Sequence, residues 1–190
     1  MIVSFKAEQH VYRDASGDVL PSITQMLKAA GLVDDRWFSE ESSVRGTAVH
    51  QLTADWDLGA ITDLESVVSP YKGWLCAHVR GLELVRPEFE HIEQVFGHPT
   101  FRFAGRPDRI GTVNGRPALV EIKSGAYDPV CGVQLALQAI LVSPVLEIAP
   151  ESFSRYGWYP QANGRFRLRR FEDRADFLTA RKVIAQCCGK

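Results

Sequence analysis

"GRPDRIGTVNGRPALVEIKSG", residues 105–125, is the stretch that decides the fold. Asn114-Gly115 stands between two runs of alternating apolar residues, and this dipeptide is the strongest two-residue signal for a type I′ hairpin turn. With the turn there, Val113 faces Arg116, Ile110 faces Leu119 and Asp108 faces Glu121. The two carboxylates then oppose each other on one face, with Cβ atoms about 4.5–5.5 Å apart. Lys123, two residues past Glu121, shares that face, while Val120 and Ile122 point to the other. Like charges directly opposite in a sheet repel, so something positive is expected between them. A divalent cation with hard oxygen ligands fits, Mg²⁺ or Mn²⁺ above all. The alternative is a salt-bridged cluster on a solvated face, with Lys123 pairing one acid. Pro117 cannot donate to the ladder and could shift the register by a bulge.

Outward from this hairpin, "HVYRDASGDVLP" reads as a short hairpin turning at Ser16-Gly17-Asp18. In "PSITQMLKAAG", Ser22 and Gln25 form a capping box and Gly31 stops the helix. A longer helical pattern runs from about Asp35 to Gly59. Another opens with Ser69 as N-cap and Pro70 at the first helical position, and Pro87 ends it. Strands are expected over 90–96, 100–113 and 116–124. Asp128-Pro129 opens the helix "VCGVQLALQAILV", stopped by Pro144. "FSRYGWYPQANGRFRLRRF" reads as a second hairpin, and the tail from Asp173 has helical spacing at Phe177, Ala180 and Ile184. Helices first, then a sheet interrupted by a helix, predict an α/β (α+β) sandwich.

The 190 residues predict one domain spanning 1–190, with 45% apolar and 24% charged residues, an ordinary globular composition. A net charge of −1 gives no global push toward nucleic acid or membrane, so any polyanion site must come from local patterning. Cys76, Cys131, Cys187 and Cys188 lack C-x-x-C spacing and read as reduced thiols of a cytoplasmic protein. No apolar stretch is long enough for a signal peptide or a membrane span.

Pro107-Asp108, twelve residues, then Glu121-x-Lys123 resembles the PD-(D/E)XK nuclease superfamily. "VQLALQA" on the following helix and "RGTAVH" (45–50) are similar to segments of its RecB-like and lambda-exonuclease-like branches, and "HVYRDASGDVLPSITQML" to the opening of phage-type members. The resemblance implies a restriction-endonuclease-like core, a central mixed β-sheet flanked by helices. It implies an Mg²⁺- or Mn²⁺-dependent deoxyribonuclease, and for this branch an exonuclease on double-stranded DNA ends in recombination or DNA processing. Asp108 and Glu121 would bind the metal, with the Ile122 carbonyl and His50 as further ligands. Lys123 would orient or help deprotonate the attacking water and stabilise transition-state charge. Gln134 would hydrogen-bond near the metal. Gln138 stands where RecB-like members often carry Tyr, so that role does not carry over. Glu93, on the strand before the hairpin, is a candidate supporting acid. Members of this branch often form rings around DNA, so a homo-oligomer is an expected partner, as is a single-strand annealing protein, in a bacterial or phage-infected cell. The iron–sulfur subclass needs a cysteine spacing that this chain lacks, so no cluster is expected. The rival readings are a non-catalytic DNA-binding or adaptor module on the same fold, and a site-specific endonuclease.

Several residues have a plainer alternative. Arg45 beside Gly46 is a candidate DNA contact; Gly46 itself either permits close packing or merely weakens the helix. Arg165, Arg167 and Arg169 alternate with Phe166 and Leu168. They are either cations reaching phosphates or the solvated face of an edge strand. Trp37, Trp56, Trp74 and Trp158 either stack bases or pack the core. His10, His78, His91 and His98 have no motif around them.

Overall fold

The computed structural model describes residues 1–6, 9–33 and 39–189. Trp37 and the expected start of the long helix at Asp35 lie outside them. Chain order is β1 (Val3–Lys6), β2 (Val11–Asp14), β3 (Val19–Leu20), α1 (Ile23–Ala29), α2 (Glu40–Asp57), α3 (Lys72–Val85), β4 (Glu88–Ile92), β5 (Phe96–Gly97), β6 (Ala104–Gly105), β7 (Arg109–Val113), β8 (Arg116–Ile122), α4 (Cys131–Leu146), β9 (Ser154–Pro160), β10 (Phe166–Arg170) and α5 (Ala175–Cys188). The central sheet has the order β10-β9-β8-β7-β4, with β8 and β9 parallel and the other neighbours antiparallel. It is a mixed sheet flanked by helices, as expected. No helix among the described residues is long and apolar enough to cross a membrane.

Alternation along β7 and β8 divides the core. Ile110 and Leu119 point to one face and pack against α4, which α1 and α5 cover from behind. Val113, Ala118, Val120 and Ile122 point to the other and pack with Trp158, Trp74 and Leu82 under α2 and α3. The central helix α4 buries eleven of its sixteen residues, which is why its sequence is apolar nearly all round. The two glutamines within it, Gln134 and Gln138, are one turn apart and so share a face.

The hairpin register is the one that Asn114-Gly115 dictates: Val113 pairs Arg116 and Ile110 pairs Leu119. Asn114 and Gly115 both take positive φ, and Pro117 pairs Thr112 with no bulge. The capping box of α1 is present, with Gln25 N–H on Ser22 Oγ at 3.1 Å and Ser22 N–H on Gln25 Oε1 at 2.9 Å. Gly31 (φ 71°) closes the helix, Leu32 N–H reaching the Leu27 carbonyl.

Four expected boundaries differ. The strand expected over 100–113 is broken, because His98 Nδ1 accepts the N–H groups of Thr100 and Phe101 and ties a turn that Arg102 (φ 53°) completes. The segment 104–105 pairs with β5 instead, and β7 begins only at Arg109. The strand expected from Glu90 begins at Glu88, bulges between Phe89 and His91, and ends before Glu93, whose φ of 49° turns the chain. Helix α3 starts at Lys72, since Ser69 Oγ and its carbonyl hold a separate turn through Tyr71 and Lys72. Pro144 lies inside α4 rather than ending it; the buried run Ile140–Val142 outweighs the lost hydrogen bond, and Glu147 (φ 56°) is the actual stop.

Gly111 sits opposite Phe89 at the bulge, and a Cβ there would collide with the Glu88 carbonyl, which is backbone and cannot rotate away. Gly111→Ala is expected to destabilise the fold by about 1–3 kcal/mol, read as a lower denaturation midpoint. An unchanged midpoint would mean that β4 moves aside freely.

Candidate active site

The β7–β8 ladder ends at Arg109–Val120. Beyond it, Asp108 Oδ2 accepts the Ile122 backbone N–H at 2.6 Å, so a side chain takes the place of the next ladder bond. Pro107 has no N–H to continue the ladder. Asp108 and Glu121, both buried, lie one position beyond the last paired residues and line one cavity, but the group that could hold a metal ion joins Asp108 to His50 and Glu93 and leaves Glu121 out.

The two acids have different surroundings. Glu121 is enclosed by donors: Gln134 Nε2 at 2.6 Å on Oε1, Gln138 Nε2 at 2.7 Å on Oε2, and Lys123 Nζ at 3.1 Å. A carboxylate only accepts, so both amides are fixed with nitrogen toward Glu121. Gln134 then turns its oxygen to Lys123 Nζ at 2.8 Å. Asp108 Oδ1 instead faces His50 Nδ1 at 3.3 Å, and Glu93 Oε1 lies 3.4 Å from the same nitrogen. His50, Glu93 and Asp108 each offer a ligand atom within 4.8 Å of the others. One imidazole nitrogen and two carboxylate oxygens form a donor set that could hold a metal ion.

Glu93 is the member for which the sequence offered only a supporting role. Its left-handed backbone swings the carboxylate inward, and its N–H is held by the Asp108 carbonyl at 3.0 Å. Arg106 Nε binds its second oxygen at 3.0 Å.

Burial opposes charge on His50, but the carboxylates of Asp108, Glu93 and Glu121 outweigh it and raise its pKa well above 6.5. A proton thereby stands where a cation would neutralise the acids. Burial likewise opposes charge on Lys123, yet Glu121 and Asp108 raise its pKa, so it remains an ammonium ion. The neighbouring Cys131 thiol is pushed up to about 12 by burial and is a packed thiol, not a nucleophile.

His50 lines two cavities. A small one, about 210 Å³, holds the acids with His10, Tyr12, Thr24 and Arg106. A wider cleft, about 820 Å³, runs past Arg45, Lys123, Ser124 and Tyr127. Arg45 is half-buried there, and its Nε has no partner among the described residues. Gly46 is not forced to be glycine, since a Cβ would meet only Ser124 Oγ at 4.0 Å. Arg165 stays in the turn before β10, its N–H on Asn163 Oδ1, so only Arg167 and Arg169 belong to that edge strand, and all three are exposed. Arg169 stacks on the Tyr127 ring at 3.8 Å, which ties it to the cleft rim. Trp158 is fully buried, Trp56 half-buried, and Trp74 donates to the Ser124 carbonyl at 3.2 Å. A more apolar cavity of about 400 Å³ between α4 and α5 carries no acid.

No protein-family model matches the sequence, and no curated protein does. Among solved structures, the chain is similar to the "Putative exonuclease" of Eubacterium rectale, with a TM-score of 0.51 and 12% identity over 88% of this chain and 78% of that one. At that identity the likeness establishes a shared fold.

In metal-free protein, the raised pKa of His50 makes its contribution to stability complete below about pH 6.5 and lost as pH climbs through the higher folded value. The melting temperature in EDTA is therefore expected to fall above pH 6.5, and to fall less in His50→Gln. Parallel pH profiles would show that the imidazolium is not held by these acids.

Proposed function

We propose that this protein is a metal-dependent deoxyribonuclease of the PD-(D/E)XK type that acts on double-stranded DNA ends in recombination or DNA processing. The observation that carries the reading is the convergence of His50, Glu93 and Asp108 on one point, with Glu121 near the end of β8 and Lys123 just past it bonded to one another alongside. The likeness to the Eubacterium rectale protein supports it at the level of fold.

His50, Glu93 and Asp108 would hold Mg²⁺ or Mn²⁺, with Glu121 and the Ile122 carbonyl as the further ligands of the family pattern. The bound cation would lower the pKa of a water and neutralise phosphate charge. Lys123, kept protonated, donates to the oxygen on which charge accumulates as water attacks phosphorus, a role that suits an ammonium ion better than that of a base. Gln134 holds Lys123 and Glu121 in fixed relation by bonding both. Phosphates of the strand would run along the wider cleft, met by Arg45 and, at the rim, by Arg169 on Tyr127. Arg165 and Arg167 extend that positive edge. With a net charge of −1, retention on DNA would come from a ring-shaped homo-oligomer or from a partner such as a single-strand annealing protein.

With Mg²⁺ or Mn²⁺, the protein is expected to degrade linear duplex DNA and to leave covalently closed circles intact on a gel. Cutting of circles would make it an endonuclease, and folded protein that does neither would end the nuclease reading.

Lys123→Ala is expected to lower the cleavage rate by at least about 10²-fold while metal binding is kept. Asp108→Asn should abolish both cleavage and the rise in melting temperature on adding Mn²⁺. Parental cleavage by either variant would refute the site assignment.

A further inference from the structure

Behind the His50–Glu93–Asp108 group lies a charge that the nuclease pattern does not account for. Arg109 follows Asp108 but points to the opposite face of the sheet, among α2 and α3, and its side chain is 0% exposed. A guanidinium that dry needs hydrogen-bond partners, and each of its three nitrogens has one. Nε donates to Asp57 Oδ2 at 2.6 Å, and Asp57 Oδ1 in turn accepts from His78 Nε2 at 2.8 Å. NH1 donates to the Asp108 backbone carbonyl at 2.7 Å and reaches Glu93 Oε1 at 3.5 Å. NH2 donates to Thr53 Oγ1 at 3.2 Å, and the Thr53 hydroxyl passes its own proton to the His50 carbonyl at 3.0 Å.

One planar group therefore touches, directly or through one hydroxyl, all three residues of the candidate metal group. These residues come from three separate places, the middle of α2, the left-handed turn after β4 and the start of β7. The Asp108 carbonyl that Arg109 grips is also the acceptor of the Glu93 N–H, so the same contact fixes the turn that presents Glu93.

We propose that Arg109 is the positioning residue of the metal group. It sets the spacing of His50, Glu93 and Asp108 from behind, with the Asp57–His78 pair as its anchor. This rests on the reading of that group as a cation site. The guanidinium does the work through geometry: its three nitrogens reach Asp57, Thr53, Glu93 and the Asp108 carbonyl, four acceptors too far apart for the three donors of a single ammonium nitrogen to span.

The test is Mn²⁺ binding to the parent, Arg109→Lys and Thr53→Val, measured by titration calorimetry alongside melting temperatures in EDTA. Arg109→Lys retains the buried charge opposite Asp57. It is expected to weaken Mn²⁺ binding by about 10–100-fold, the usual cost of losing the support behind a metal ligand. Thr53→Val preserves shape and cuts only the branch to His50, so it remains a usable variant if Arg109→Lys fails to fold. Its expected loss is several-fold, without the collapse of melting temperature that a purely structural role would produce. Folded variants that bind Mn²⁺ as the parent does would overturn the positioning role. A parent that binds no Mn²⁺ would instead overturn the cation site itself.

Discussion

Three carboxylates, Glu93, Asp108 and Glu121, stand around one imidazole in a half-buried setting, and their mutual repulsion is the constraint around which the surrounding structure is arranged. Every donor nearby answers it. Glu121 is met by two amides and an ammonium ion, Asp108 by the Ile122 N–H, and Glu93 by Arg106 on one side and Arg109 on the other. What these donors leave open is the space between Glu93 and Asp108, where His50 supplies a ring nitrogen that takes a proton and could instead ligate a metal ion. Either would relieve the same crowding through Coulomb attraction in a poorly solvated pocket.

Much of this was legible in local sequence chemistry. Asn114-Gly115 set the register, the register set Asp108 against Glu121, and alternation placed Lys123 on their side. Gln134 was expected from the resemblance, and helical period puts Gln138 on its face. Each of these inferences spans a turn or a single element, so propensity and periodicity suffice. The boundary errors have the same logic in reverse. The strand that breaks at Phe101 breaks because an imidazole nitrogen accepts two backbone N–H groups, and Pro144 is tolerated because the apolar run before it is buried.

The residues that were not legible depend on partners distant in sequence. Arg109 is a polar residue in an alternating strand, the usual mark of a solvated position. Its actual partner, Asp57, is 52 residues away, and His78 joins from a third element. His78 carries no motif, and the aspartate looks like an ordinary helix-end acid. Glu93 was legible only as a supporting acid, for another reason. Its carboxylate enters the group only because a bulge and a left-handed residue turn β4, and neither is readable from residue type.

The shape of the site bears on which DNA it would accept. His50 lies at the boundary of two spaces of unequal size, and the small cavity, about 210 Å³, is below the roughly 300–1,000 Å³ of pockets that enclose a drug-sized ligand. Residues of β2 and α1 wall it. A strand passing through the site in both directions would need room on both sides of the acids, whereas a strand end needs a long path on one side only. The wider cleft, with Arg45, Lys123 and the Tyr127–Arg169 stack along it, offers that one path. On the proposed nuclease reading, the asymmetry would favour action at an end over cutting within a strand.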